Sequence, residues 1–163
     1  MSIVLDNVCE MGKFYEIRKA LFQLKRKRIE KYNAEKYFYP FKEFRVLNLN
    51  FGRQTGNTYF LGQIVKERIL HDEFKFVFRD VSNIAVVFLN MHPKKRFIID
   101  NNLPSEFLRH SYAECLLTTK YFDPHEYSIK YLFIDASDAY SSEELDRLIE
   151  SYIPCGVELV CLL

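Results

Sequence analysis

Seven consecutive residues, Gly52-Arg53-Gln54-Thr55-Gly56-Asn57-Thr58, hold the chemistry most directly readable in this chain. An apolar run from Val46 leads into them, and a segment with helical spacing follows at once. Strand, glycine-bearing turn and helix start, in that order, face backbone N–H groups inward and set the positive end of a helix behind them, which suits phosphate. Gly52, Arg53, Gln54, Thr55, Gly56, Asn57 and Thr58 are therefore candidate nucleotide contacts. The same residues also fit an ordinary strand-to-helix bend, with Gly56 in the bend and Thr58 capping the helix. A carboxylate stands further on: Tyr131-Leu-Phe-Ile134 runs into Asp135, 77 residues after Thr58. Both features fall at the C-terminal ends of expected strands, where open α/β sheets place their ligands.

The elements that must position these groups alternate in kind. Residues 12–36 read as a helix, with Phe14, Ile17, Leu21 and Leu24 at three- and four-residue spacing. Tyr37-Phe-Tyr-Pro-Phe41 is an aromatic connector broken by Pro40. Arg45 to Asn50 is the first core strand, and Thr58 to Leu70 a helix with Leu61, Ile64, Val65 and Ile69 on one face. Lys75 to Asp80 reads as a strand. Ser82 to Met91 is open between a capped helix and a buried strand. Pro93-Lys-Lys is expected to turn, Arg96 to Asp100 to form a short strand, and residues 105–121 to hold a short helix and a strand. Ile129 to Asp135 is a strand. Ser141-Ser-Glu-Glu144 is a capping box, ahead of a helix stripe at Leu145, Leu148, Ile149 and Tyr152. Pro154 and Gly156 stop that helix, and Val157 to Leu163 is the last strand. Near-continuous apolar strands alternating with amphipathic helices indicate an α/β, three-layer fold with a mostly parallel sheet covered on both faces.

Composition narrows the classes. The chain has 163 residues, enough for one full core, with a net charge of +1 that gives no global field for nucleic acid or membrane. The four cysteines include no C-x-x-C pair, so reduced intracellular thiols are expected rather than zinc. The four histidines are scattered, and no G-x-S-x-G elbow occurs. The N-terminus has no secretory pattern and no apolar run reaches bilayer length, which points to the cytoplasm.

Positive charge is concentrated between residues 13 and 31, where Lys13, Arg18, Lys19, Lys25, Arg26, Lys27, Arg28 and Lys31 oppose only Glu16 and Glu30. The run Lys25-Arg26-Lys27-Arg28 has three readings: a solvated helix face, a contact for an acidic protein partner, or a grip on nucleic-acid phosphates with Tyr32, Tyr37 and Tyr39 stacking on bases.

The loop resembles the Walker A motif of P-loop NTPases, G-x-x-x-x-G-K-[ST], with Phe51 where the first Gly belongs and Gly52 one step late, and Tyr131 to Asp135 resembles a Walker B strand. Within that fold the chain is most similar to the additional-strand group, and there to phage large-terminase and helicase ATPase domains. Gly52 to Thr58 resembles their Arg-Gln-Thr-Gly-Lys-Ser/Thr loop, and Phe133-Ile-Asp-Ala-Ser137 their Ile-Asp-Glu-Ala segment. The resemblance covers roughly residues 41–163, which makes residues 1–40 an N-terminal basic amphipathic extension and 41–163 the P-loop-like domain. It implies ATP and Mg²⁺ as cofactors, with Thr58 and Asp135 as metal ligands. It also implies a viral or phage setting, hence a host cytoplasm.

Two departures bear on activity. Asn57 stands where the phosphate-gripping Lys belongs, and offers neutral donors only. Ala136 stands where the water-positioning Glu belongs. Phosphoryl transfer depends on positioning and electrostatics, so these losses together remove most turnover. The expected function is a pseudo-ATPase that binds nucleic acid or protein. The alternatives are an active ATPase completed by Arg53 or a partner subunit, and a structural interaction domain without nucleotide.

Overall fold

Four short runs of branched and aromatic residues pair into one parallel sheet, and the helices between them supply the covering layers. The computed structural model describes residues 2–35, 44–52, 55–71, 84–103 and 129–163. In chain order its elements are α1 (Ser2–Glu35), β1 (Val46–Asn48), α2 (Asn57–His71), β2 (Ile84–Val87), α3 (Met91–Asp100), β3 (Tyr131–Ile134), α4 (Ser142–Tyr152) and β4 (Leu159–Leu162). The strand order is β1-β4-β3-β2, with every neighbouring pair parallel. Val46 pairs with Val160, Tyr131 with Leu159, and Ile84 with Tyr131.

Alternation along each strand divides the core into two layers. Val86, Tyr131, Phe133, Leu159 and Cys161 face α1, α2 and α3, where Phe22, Ile29, Phe60, Leu61, Ile64, Val65 and Phe97 meet them. Ala85, Val87, Leu132, Ile134 and Val160 face α4 through Leu148, Ile149 and Tyr152. Each fully buried Leu, Ile or Phe contributes roughly 1.5–3 kcal/mol, so both layers matter to stability. Phe22 of α1 stacks on Phe133 with ring centroids 5.9 Å apart, which makes the N-terminal helix part of the main core.

Several elements match the sequence reading closely. Ser141 caps α4 by accepting from the Glu144 N–H, and Glu144 accepts from the Ser141 N–H at 2.8 Å. A short 3-10 turn, Ile153–Cys155, and Gly156 at φ +86 then end the helix. The open segment before Met91 resolves as a strand, fully buried from Ile84 to Val87.

Two expectations are corrected. Pro93 to Asp100 lies within helix α3, so Pro93-Lys-Lys is in its first half rather than a turn, and Arg96 to Asp100 is its second half rather than a strand. Asn90 caps that helix by accepting from the His92 N–H at 3.0 Å, and Pro93 sits in the first turn, where its missing N–H has no intrahelical partner to lose. Only Phe97 of the apolar triplet Phe97-Ile98-Ile99 is buried, so the period is helical. The second correction concerns the face of α1. Ile17, Leu21 and Leu24 are exposed, while Arg18, Phe22 and Ile29 are buried. The strand expected at Lys75–Asp80, the elements expected at 105–121 and the connector Tyr37–Phe41 lie outside the described residues. Among the described residues, no helix is long and apolar enough to cross a membrane.

Candidate functional site

The loop after β1 is shaped by its own side chains. Leu49 still donates to Leu162 O at 2.8 Å, extending the sheet by one bond. Asn50 N–H then donates to Asn48 Oδ1 at 2.9 Å, and Gly52 N–H to Asn50 Oδ1 at 3.0 Å. These two Asx turns coil the chain away from the strand. Gly52 at φ +104 and Gly56 at φ +79 occupy left-handed backbone that a Cβ would strain. Thr55 Oγ1 donates to Gly52 O at 2.8 Å and closes the loop. Helix α2 starts at Asn57, and its first turn is fixed by Phe60 N–H to Gly56 O at 2.9 Å. Arg53 and Gln54 lie outside the described residues.

A side chain from α1 ends in this loop. Arg18 has 0% exposure. Its Nε donates to Leu49 O at 2.9 Å, Nη1 to Thr55 O, and Nη2 to Thr55 Oγ1 at 2.7 Å and to Asn57 Oδ1. The guanidinium carbon lies 4.6 Å from the centre of the Phe51 ring. All four hydrogen-bond acceptors are neutral, and among the described residues no carboxylate pairs with Arg18. Burial lowers its pKa from the ordinary value. The other end of the Asn57 amide is also occupied, Nδ2 donating to Asn50 Oδ1 at 3.2 Å.

The acid turn stands at the same edge of the sheet. Asp135 N–H donates to Val87 O at 2.9 Å, and Ser137 N–H to Leu163 O at 2.7 Å. Ala136 between them takes left-handed backbone at φ +50. Burial pushes the Asp135 carboxyl up to about 6, against a hydrogen bond from the Ala136 backbone, and Asp138 adds like-charge repulsion. Asn50 Nδ2 reaches Ser137 Oγ at 3.4 Å, joining the loop to the acid turn. The Tyr140 hydroxyl is buried with no hydrogen-bond partner among the described residues, and burial first, then Asp135 and Glu144, push it up to about 12.

The loop and acid turn that sequence reading singled out are thus brought to one edge, with Gly52 exposed and Thr55, Gly56 and Asn57 half-buried. Thr58 is exposed at the start of α2, and among the described residues no hydrogen bond links it to Asp135. No group of three His, Cys, Asp or Glu side chains suited to a metal occurs among the described residues.

The basic run is divided between environments. Lys25 is half-buried with its ammonium 5.4 Å from the Phe44 ring centre, Arg26 pairs with Glu30 at 3.1 Å, and Lys27 and Arg28 are exposed. Tyr32 packs edge-on against Phe44 rather than standing free.

Arg18, Asn50, Ser137 and Tyr140 were not foreseen as parts of the site. Arg18 had a signal in the sequence: Tyr15, Arg18, Phe22, Ile29 and Tyr32 form a second helical stripe, competing with the apolar one at Phe14, Ile17, Leu21 and Leu24. Asn50 and Ser137 had none, because their contact spans 87 residues of chain. Comparison with protein-family models, curated proteins and solved structures finds no match to this chain.

Proposed function

We propose that this chain is a catalytically degenerate P-loop-type domain serving as a binding module for a macromolecular partner, in the viral or phage setting that its resemblance implies. One observation carries the reading. The residue at the position of the phosphate-gripping Lys is Asn57, and its amide is held by Arg18 at one end and by Asn50 at the other. A Mg²⁺-triphosphate does not fit the residues present. Among the described residues, the Arg18 guanidinium at the loop donates to the loop's own oxygens, the Gly52 N–H is satisfied by Asn50, and Ala136 supplies no carboxylate for a water nucleophile.

The strand order lends support to the P-loop assignment. β4 lies between the loop-bearing β1 and the acid-bearing β3, an extra strand separating the two chemistry-bearing ones.

Thermal melting with ATP, ADP and GTP, with and without Mg²⁺, tests the reading alongside a phosphate-release assay. A ligand at 100 times its Kd stabilises the native state by about 2.7 kcal/mol, so binding would be visible. The expected result is no shift at millimolar nucleotide and no phosphate release. Mg²⁺-dependent hydrolysis abolished by Asp135→Ala would overturn the proposal in favour of a working ATPase.

A further inference from the structure

We propose that α1 carries a docking surface for an acidic amphipathic helix of another protein, centred on Ile17, Leu21 and Leu24. The inference rests on reading the chain as a binding module and not on the state of the loop. These three residues are 49%, 37% and 59% exposed, at spacings of four and three that align them in one stripe. The stripe is separate from the face of α1 that packs on the sheet, which belongs to Arg18, Phe22 and Ile29. Among the described residues this second apolar stripe stays exposed while the other face is buried.

Charge identifies the occupant. Lys13 stands one turn before Ile17 and Arg28 one turn after Leu24, both exposed, and Lys27 flanks the stripe as well. Between Lys13 and Arg28 the single acid, Glu16, lies off the stripe, and Glu30 is engaged with Arg26 at 3.1 Å. The surface is therefore apolar in the middle and cationic at its ends, about 22 Å apart along the helix. A second copy is disfavoured, because parallel and antiparallel pairing both set these cations against like charges. Nucleic acid is disfavoured too, since phosphates repeat closely and the centre of the stripe offers them only hydrocarbon. A helix with an apolar stripe and acidic ends satisfies both features, as in coiled-coil pairing where flanking charges choose the partner.

Fluorescence anisotropy of the full chain with a labelled synthetic helical peptide of about 20 residues tests this, the probe carrying a Leu stripe at matching spacing and Glu at both ends. Binding is expected, weakened roughly tenfold or more by the pair Leu21→Glu and Leu24→Glu, and reduced at about 0.5 M salt. Both substitutions fall on exposed side chains, so the melting temperature should hold. Lys13→Glu with Arg28→Glu should transfer preference to a peptide with Lys ends, a reversal that general destabilisation would not produce. The proposal is overturned if the peptide fails to bind, or binds the Leu21→Glu, Leu24→Glu chain equally well. It is equally overturned if single-stranded DNA displaces the peptide in a manner sensitive to the same substitutions, or if those substitutions abolish self-association of the chain. ATP binding would instead undo the degenerate-loop reading and leave the peptide result standing.

Discussion

A guanidinium buried with no carboxylate partner among the described residues depends on what neutral oxygens can give it, and Arg18 draws on four of them in the loop after β1. Arg18→Gln leaves Leu49 O and Thr55 O without their donor, at about 1–3 kcal/mol for each unsatisfied acceptor. Relief from burying a charge offsets part of that loss, so a net destabilisation of about 2 kcal/mol is expected. Urea unfolding measures it, and a change under about 0.5 kcal/mol would show that Arg18 does not hold the loop. Asp135 makes a different contribution, with a sign that follows from its raised pKa. The folded chain keeps this proton up to about pH 6, whereas the unfolded chain loses it near the ordinary carboxyl value. Between those values the native state binds more protons, so this residue makes stability fall as pH rises. Asp135→Asn stays neutral throughout and should become progressively more stable than the parent over that window. Melting temperatures of both proteins across the range decide it, and a constant difference would refute the burial of the carboxyl.

Elements differ in how much of themselves they show in sequence, and the difference follows from what fixes them. Helix α4 is set by local terms, a capping box and a stripe at Leu148, Ile149 and Tyr152, and those are visible without the fold. Strands β3 and β4 are buried on both faces, so their apolar runs are unbroken and easily found. Helix α3 was hidden because Phe97-Ile98-Ile99 reads as a strand core, while Asn90 and Pro93 act as a cap and first turn only in the context of β2. Helix α1 ends where the spacing predicts but starts ten residues earlier, at Ser2 rather than Gly12, and it is turned to a different face. It offers two stripes of similar spacing, and the choice between them was made by aromatic packing of Phe22 on Tyr131 and Phe133. The winning face also carries Arg18, a residue that composition alone assigns to solvent. The candidate site was therefore legible in its glycines and acid but not in the arginine that fills it.

At the scale of the whole molecule, the sheet is closed by its last strand. β1 hydrogen-bonds to β4 within the sheet, β3 pairs with β4 and β2, and Leu49 and Ser137 both bond to the segment ending at Leu163. The loop and the acid turn thus share an edge because β4 stands between the strands that bear them. Val160, Cys161 and Leu163 are almost wholly buried, and they contribute to both core layers. Removing the residues after Gly156 would take from β1 the strand it pairs with among the described residues and open both layers together. Loss of three such side chains alone exceeds about 5 kcal/mol, comparable to the entire stability of an ordinary domain. The truncated chain is expected to lose cooperative thermal unfolding and resist assembly until the missing strand is supplied. Circular dichroism melts of the full and shortened chains measure this directly. A sigmoidal transition in the shortened chain within about 10 °C of the full one would mean that β1 and β3 are held together by the helices rather than by β4.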